Sequence, residues 1–440
     1  MFAYYLNLAL HSLKRNKVLT ALMILAVAVG IGASMTTLTV MHVLSGNPLP
    51  GKSAHIFYPQ VDPTPASWAS DSHPLPMMDY HSAVDLWSAQ RADRQALIVD
   101  SPIKVQTPGS TLPPLMLTLM STTADFFPMF NVPFEYGSGW TSADDTSRAR
   151  VAVISSDLND RLFAGKDSVG KILHLKDGNV RIVGVLKPWR PSPRFYSVYG
   201  AMSGFGQGKP AYGHPEDVFV PFFTGIEIND GAFSQYTCWG TVQMPGHLVN
   251  APCLWVALWV ELDSAAKAAD YRAFLTHYAQ QQKALGRFAN TDTRMLDLMG
   301  WLDHIHVVPS DVKLQTWLAF AFLAICLFNT VGLLLAKFLR YAGAIGVRRA
   351  LGASRRAVFA QCLTEAGLIG LVGGAGGWLL TLVGLWLVRR QQTAYADLVH
   401  MDVSMFAVTF ALAVAVSLVA GALPALRASR VAPALQLKTL

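Results

Sequence analysis

Residues 18–53 read VLTALMILAVAVGIGASMTTLTVMHVLSGNPLPGKS, and two readings of this stretch compete. Its end, GNPLPGKS from Gly46 to Ser53, satisfies the phosphate-loop pattern G-x-x-x-x-G-K-[ST] letter for letter. That pattern works only when successive backbone N–H groups cradle phosphate, and when the loop leaves a buried strand and opens a helix. Pro48 and Pro50 each remove an N–H that a phosphate would need. The following AHIFYPQVDPTPAS is interrupted by Pro59, Pro63 and Pro65 and opens no helix. What precedes is a long apolar run, not a short strand. The stretch is therefore read as a Pro/Gly turn closing a helix over 18–44 that is long enough to cross a bilayer.

Composition extends that reading. Of 440 residues, 52% are hydrophobic and 14% charged, where a soluble protein carries about a quarter charged. Three further apolar segments reach spanning length, at 313–337, 363–388 and 405–426. The fold class expected is an integral membrane α-helical bundle, one helix plus three, with a large α+β domain over 45–312 between the first and second helices. The first span has a basic start and small residues near Gly32–Ser34. Its apolar run continues to Leu44, so it is read as a retained anchor rather than a cleaved leader.

Basic residues cluster beside the spans: Lys14, Arg15 and Lys17; Lys337, Arg340, Arg348, Arg349, Arg355 and Arg356; Arg427, Arg430 and Lys438. Glu365 is the one acid in or beside those segments. Elsewhere acids slightly outnumber bases, so the net +7 belongs to three short pieces. A continuous basic face for nucleic acid is not what this pattern describes. By the positive-inside rule an amphipathic segment 1–17, the loop 338–362 and the tail 427–440 are cytoplasmic. The region 45–312 and a short loop 389–404 are then outside, with Arg389 and Arg390 against the trend.

Within the outer region, VAVISSDLNDRLFAG reads as a strand (151–154), a cap at Ser155 or Ser156, and a helix with Leu158, Leu162 and Phe163 on one face. KILHLKDGNVRIVGVLK reads as a hairpin turning at Asp177–Gly178. LMLTLMSTTADFF reads as a strand and a helix start capped near Ser121–Thr123. LWVALWVEL (254–262) reads as one strand, with a helix after it. The Pro-, Gly- and aromatic-rich stretch 187–250 is expected to be an inserted, loop-rich subdomain. Cys238 and Cys253 share the oxidising side, where a disulfide is one of two open outcomes. His304 and His306 on one strand face would seed a metal site only with a third ligand. Asp144, Asp145 and Asp303 are expected to be solvated. No nucleophile elbow or H-E-x-x-H pattern occurs.

The segment AIGVRRALGASRRAVFAQCLTEAGLIGLVGGAGG (344–377) is the most informative piece. It resembles the loop between the second and third membrane helices of MacB/FtsX-type ABC transporter permeases. Ile345, Gly346, Arg348, Ala350, Gly352, Ala353 and Glu365 match that family's pattern. The tail LPALRASRVAPALQLK, with Pro424, Ala425, Arg427, Pro433 and Leu437, and the 151–186 region resemble the family as well. The resemblance covers nearly the whole chain except about 187–250.

The resemblance implies a permease subunit of an ATP-driven exporter in the inner membrane of a Gram-negative-like cell, relaying ATPase motion to a periplasmic domain. It implies that Ile345, Gly346, Arg348, Arg349, Leu351, Gly352 and Ala353 couple to a separate cytoplasmic ABC ATPase dimer, which would hold ATP and Mg. This chain would bind no cofactor or metal and catalyse nothing. Val347, Ala350, Leu351, Val358 and Phe359 would face lipid or a partner groove, and the arginines water, lipid phosphate or acidic protein. Gly367, Gly370, Gly373, Gly374 and Gly377 form small-xxx-small pairs that pack either within the chain or between subunits. The spans carry no Asp, Lys or Arg near their middles, which argues against a substrate channel through the bilayer. The family has Glu where this chain has Ala344, a departure pointing to a non-identical second permease. A periplasmic adaptor and an outer-membrane channel complete the expected partners. The competing reading is a membrane receptor with a ligand-binding outer domain, which would be expected to append a signalling domain after Leu426.

Overall fold

In this computed structural model the described residues are 8–9, 12, 17–68, 74–109, 113–176, 178–198, 211–242, 247–391, 393, 395–400 and 403–429. The chain divides into two compact units, Met1–Ser45 with Val308–Leu440, and Gly46–Val307. The first apolar run forms α1 (Lys17–Leu44). The chain then enters the second unit.

That unit is built on a mixed sheet. In chain order it contains β1 (Ile56–Val61), α2 (Tyr80–Ser88), β2 (Arg94–Gln106), β3 (Leu115–Thr122), α3 (Phe126–Met129), β4 (Phe134–Gly137), α4 (Ser142–Thr146) and β5 (Val151–Ile154). There follow α5 (Ser156–Phe163), β6 (Ile172–Leu175), β7 (Gly178–Leu186), β8 (Val218–Pro221), α6 (Phe222–Ile228), β9 (Thr237–Cys238) and β10 (Cys253–Leu254). β11 (Ala257–Glu261), α7 (Ala265–Ala284), β12 (Thr293–Asp297) and α8 (Leu298–His304) complete it. The sheet order is β12-β1-β11-β2-β3-β8-β5-β7-β4, with β6 bridging β2 and β7. β3–β8 and β5–β7 are parallel and the other pairs antiparallel.

β2 is long enough to join the two halves of this unit. Its first part pairs with β11 and its last residues with β6. Because side chains alternate across a strand, Tyr58 and Ile98 enter one aromatic core with Phe126, Phe130, Trp259 and Trp301. Phe57, Leu97 and Val260 point the other way, under Leu86 of α2 and Tyr271 and Leu275 of α7. A third core gathers β5, β6, β7 and β8 around Leu158 of α5.

Several sequence expectations are corrected here. Residues 254–262 are two strands, because Cys253–Leu254 leaves to pair with Thr237–Cys238 while Ala257–Glu261 stays in the main sheet. The N-cap position of the helix after β3 falls at Asp125, beyond Ser121–Thr123, and its side chain makes no cap bond. Ser155, one of two candidates, caps α5 by accepting from the Leu158 N–H. The expected hairpin forms between β6 and β7; Asp177 itself lies outside the described residues.

The described parts of 187–250 do not form a separate subdomain. Phe195, Tyr196 and Val198 are buried in the first aromatic core, and β8 lies between β3 and β5 in the sheet. Trp189 stacks on Tyr196, with ring centroids 5.4 Å apart. The Trp259 indole N–H donates to the Tyr196 carbonyl at 3.1 Å. Cys238 and Cys253 are joined in a disulfide, which ties residues of this stretch to β10.

The chain returns to the first unit through α9 (Ser310–Arg340), α10 (Ala342–Ala350), α11 (Arg355–Arg389) and α12 (Val403–Ser429). Four helices among the described residues, α1, α9, α11 and α12, are long and apolar enough to cross a membrane. They exceed the expected spans at most ends, and α11 starts eight residues before 363 as one continuous helix.

Candidate functional site

α9 ends at Tyr341, which also precedes the first residue of α10. α10 stops at Ala350 because Gly352 takes φ +99, a left-handed turn that suits glycine. The Gly352 N–H donates to the Arg349 carbonyl at 3.1 Å, and the Ala353 N–H to the Arg348 carbonyl at 3.1 Å. Ser354 then caps α11 by accepting from the Ala357 N–H at 3.2 Å. The expected single amphipathic element over 344–362 is thus two helices at a sharp turn, and facing positions cannot be carried across it.

This break redistributes the predicted coupling residues. Ile345 packs on the bundle beside Leu334, Phe338 and Val358, and Gly346 is buried. The Arg348 guanidinium donates to Gln361 Oε1 at 2.8 Å, tying α10 to α11. Arg349 reaches the Ser429 carbonyl, at 3.4 Å, where α12 ends. A cation at a helix C-terminus complements the exposed carbonyls there. Both arginines therefore bond to neighbouring helices of the bundle, instead of facing water, lipid phosphate or acidic protein as expected. Val358 is buried against the bundle and Phe359 is half-buried, which corrects their expected outward placement.

What remains outward is the turn. Leu351 is 83% exposed, and Val347, Ala350, Gly352, Ser354, Arg355 and Arg356 are exposed with it; Ala353 is half-buried. Arg355 and Arg356 occupy the first turn of α11, which holds no acid. Positive charge at a helix N-terminus is opposed by the macrodipole, by about 0.3–1 kcal/mol per charge at the surface. This tip combines an apolar knob with two cations held against that field, which is the surface a groove with an acidic rim would accept. Sequence reading grouped Arg355 and Arg356 with the water-facing arginines and left them out of the coupling set. The Gly352 and Ser354 stop-and-start signals, just ahead of them in the chain, were the available clue.

The glycines of α11 divide between two neighbours. A methyl group at Gly370 would overlap Ser417, and one at Gly374 would overlap Ala413, both on α12. At Gly373 and Gly377 it would meet Val27 and Ile31 of α1. Gly367 is less crowded, with Leu418 nearest. Four of the five thus permit close helix approach inside one chain. α1 and α9 are also joined, by the Ser34 hydroxyl donating to the Ala319 carbonyl at 3.0 Å.

The remaining sequence candidates take structural roles. Lys52 pairs with Glu261 at 3.0 Å and donates to the carbonyls of Pro128 and Met129 at 3.0 and 3.1 Å. The lysine of the phosphate-loop pattern is therefore engaged in the fold of the second unit. His304 ends α8 and accepts from Arg294 at 2.7 Å, while His306 sits in a turn at φ +51, so neither lies on a strand. Burial and the nearby Arg294 hold the His304 pKa below the ordinary histidine value. Asp144 is half-buried and completes a capping box with Thr141. Asp145 is buried instead of solvated. It accepts from the Ala124 N–H and the Trp140 indole at 2.8 Å each, and burial pushes its pKa up to about 6.

Comparison with known proteins follows the same division. The profile of the MacB-like periplasmic core domain matches residues 20–277, and that of the FtsX-like permease C-terminal domain matches residues 317–433. The chain belongs to the MacB/FtsX-type ABC permease family. It is a permease component whose large α/β domain, between the first and second membrane helices, is the family's periplasmic core. Among curated proteins, the macrolide export ATP-binding/permease protein MacB of Marinobacter nauticus is 24% identical over 68% of this chain and 40% of its own length. The pyoverdine export ATP-binding/permease protein PvdT of Pseudomonas syringae pv. tomato is 25% identical over 69% of this chain and 40% of its own. The ABC transporter permease YvrN of Bacillus subtilis is 22% identical over 70% of this chain and 67% of its own. This chain therefore spans about two fifths of the two exporters.

Proposed function

We propose that this MacB/FtsX-type permease transmits the conformational change of an ABC ATPase across the inner membrane to its periplasmic domain, as one subunit of an ATP-driven exporter. The observation that carries the reading is the exposed α10–α11 tip, where Leu351 stands free beside Arg355 and Arg356. α9 leaves the periplasmic domain and crosses once, so this tip reaches the cytoplasmic surface, as the basic residues around it require. A separate ATPase dimer there would hold ATP and Mg. Export is the activity for which the MacB and PvdT relatives are named.

The same reading gives the partners. A second permease completes the assembly, and Ala344 in place of the family's Glu favours a non-identical one. A periplasmic adaptor and an outer-membrane channel would carry the substrate onward. Purification of the tagged chain in mild detergent tests the core of this. An ATP-hydrolysing subunit should co-purify, and hydrolysis should fall in Leu351→Asp and in Arg355→Ala/Arg356→Ala. Purification of the chain with no ATPase from cells expressing the whole system would overturn the reading.

A further inference from the structure

Lys337 on α9 and Glu365 on α11 form an ion pair whose side chains are 0% and 5% exposed. They lie among Leu334, Phe338, Cys362, Ala366 and Ile369, an apolar cluster of the bundle. Ser12 also donates to Glu365 Oε1, at 2.8 Å, so a residue of the N-terminal segment meets the same carboxylate. In the sequence Lys337 reads as one more flanking cation. Ionisable groups buried within a membrane bundle are costly, and they persist where they hold helices or do work.

The position of the pair indicates the work. Lys337 lies within the last turn of α9, just ahead of α10. Glu365 lies in α11, beyond the turn that follows α10. The pair thus reaches across the bundle between α9 and α11, the two legs on either side of the coupling tip, which otherwise pack chiefly on α1 and α12. A second tie, Arg348 to Gln361, lies closer to the tip. Apolar contacts through α1 and α12 alone would let the legs slide, because lipid is as good a neighbour for leucine as another helix is. A buried charge cannot leave its partner so freely.

We propose that Lys337 and Glu365 are positioning residues that make both legs of the coupling hairpin move as one body. A displacement of residues 341–354 then reaches α9, and through it the periplasmic domain, without being absorbed between the legs. This rests on the docking reading above.

The test uses the full chain in nanodiscs, with and without its co-purified ATPase, in a background lacking Cys326 and Cys362. Spin labels at Leu339 of α9 and Leu371 of α11, both exposed, report the distance between the legs. In the otherwise native chain the distribution should be narrow and the same with and without trapped nucleotide. The apolar double variant Lys337→Met/Glu365→Met leaves no buried charge unpaired, so it should fold and still bind the ATPase. Its leg distance should broaden, and hydrolysis by its complex should fall by about tenfold. The reversed pair Lys337→Glu/Glu365→Lys should restore both. A Met/Met variant with native leg distance and native hydrolysis would overturn the proposal, since packing alone would then suffice. Absence of any ATPase from the native preparation would instead defeat the docking reading; the leg-distance measurement would still decide the staple.

Discussion

Among the described residues each unit buries one arginine–glutamate or lysine–glutamate pair almost completely, and the two are built differently. In the periplasmic domain Arg194 and Glu216 are 1% and 0% exposed and sit in a web of further bonds. The guanidinium also donates to the His214 carbonyl at 3.0 Å and to Ser197 at 3.3 Å. Tyr196 donates to the second Glu216 oxygen at 2.8 Å, and Ser197 to Asp100 at 3.1 Å. In the bundle, among the described residues, Ser12 adds one further bond to the Lys337–Glu365 pair. A lysine ammonium is a point charge on a flexible stem, whereas the guanidinium fork fixes direction as well as distance. The first pair anchors a stretch poor in regular structure into an aromatic core. The second ties two helices at one point and leaves them otherwise smooth.

The largest expected effect tests the first half of that contrast. Arg194→Met leaves Glu216 buried without its cation, and should destabilise the periplasmic domain by about 3–5 kcal/mol. Hydrogen exchange on the full chain should show lost protection in β8 and residues 194–198, with the bundle unchanged. Equal loss in the bundle would mean that the two units are not separately stabilised.

A smaller effect separates the units by pH. The Asp145 pKa of about 6 lies above its ordinary value of 3.8, so between these values the folded domain holds the proton more tightly than the unfolded chain. Its contribution to stability is full below the lower value and is lost as pH rises through the upper one, on the order of 3 kcal/mol. The difference between native and Asp145→Asn unfolding curves from pH 4 to 7 should show this slope in the periplasmic domain. A flat difference would return Asp145 to an ordinary carboxylate. The smallest effect concerns the phosphate-loop look-alike. Lys52→Met should cost about 1–2 kcal/mol through its lost bonds to Glu261 and two carbonyls, with ATP hydrolysis by the complex unchanged. Loss of hydrolysis with native stability would revive the nucleotide-binding reading.

The four long helices were legible because an apolar run of spanning length has few alternatives. The β6–β7 hairpin was legible because Asp-Gly between alternating strands is a strong local signal. The place of 187–250 was not. Its prolines and glycines mark loops, while the burial of Phe195 and Tyr196 depends on Trp259 and Phe130, distant in the chain. The coupling tip was legible as a segment but not as a surface, since one helix drawn through Gly352 puts Arg348 and Arg349 on the wrong side. Lys337 was hidden for a related reason: near the end of a span, a lysine looks the same whether it snorkels to water or turns inward to a glutamate.

The account depends on force entering at the tip of the α10–α11 hairpin from another polypeptide. A photo-crosslinking residue placed at Leu351 in the full chain, in native membranes, tests this most directly, with Trp317 of α9 as the lipid-facing control. The account predicts a covalent product between position 351 and an ATP-hydrolysing subunit, and none from position 317. Crosslinks from position 351 to lipid alone would contradict it.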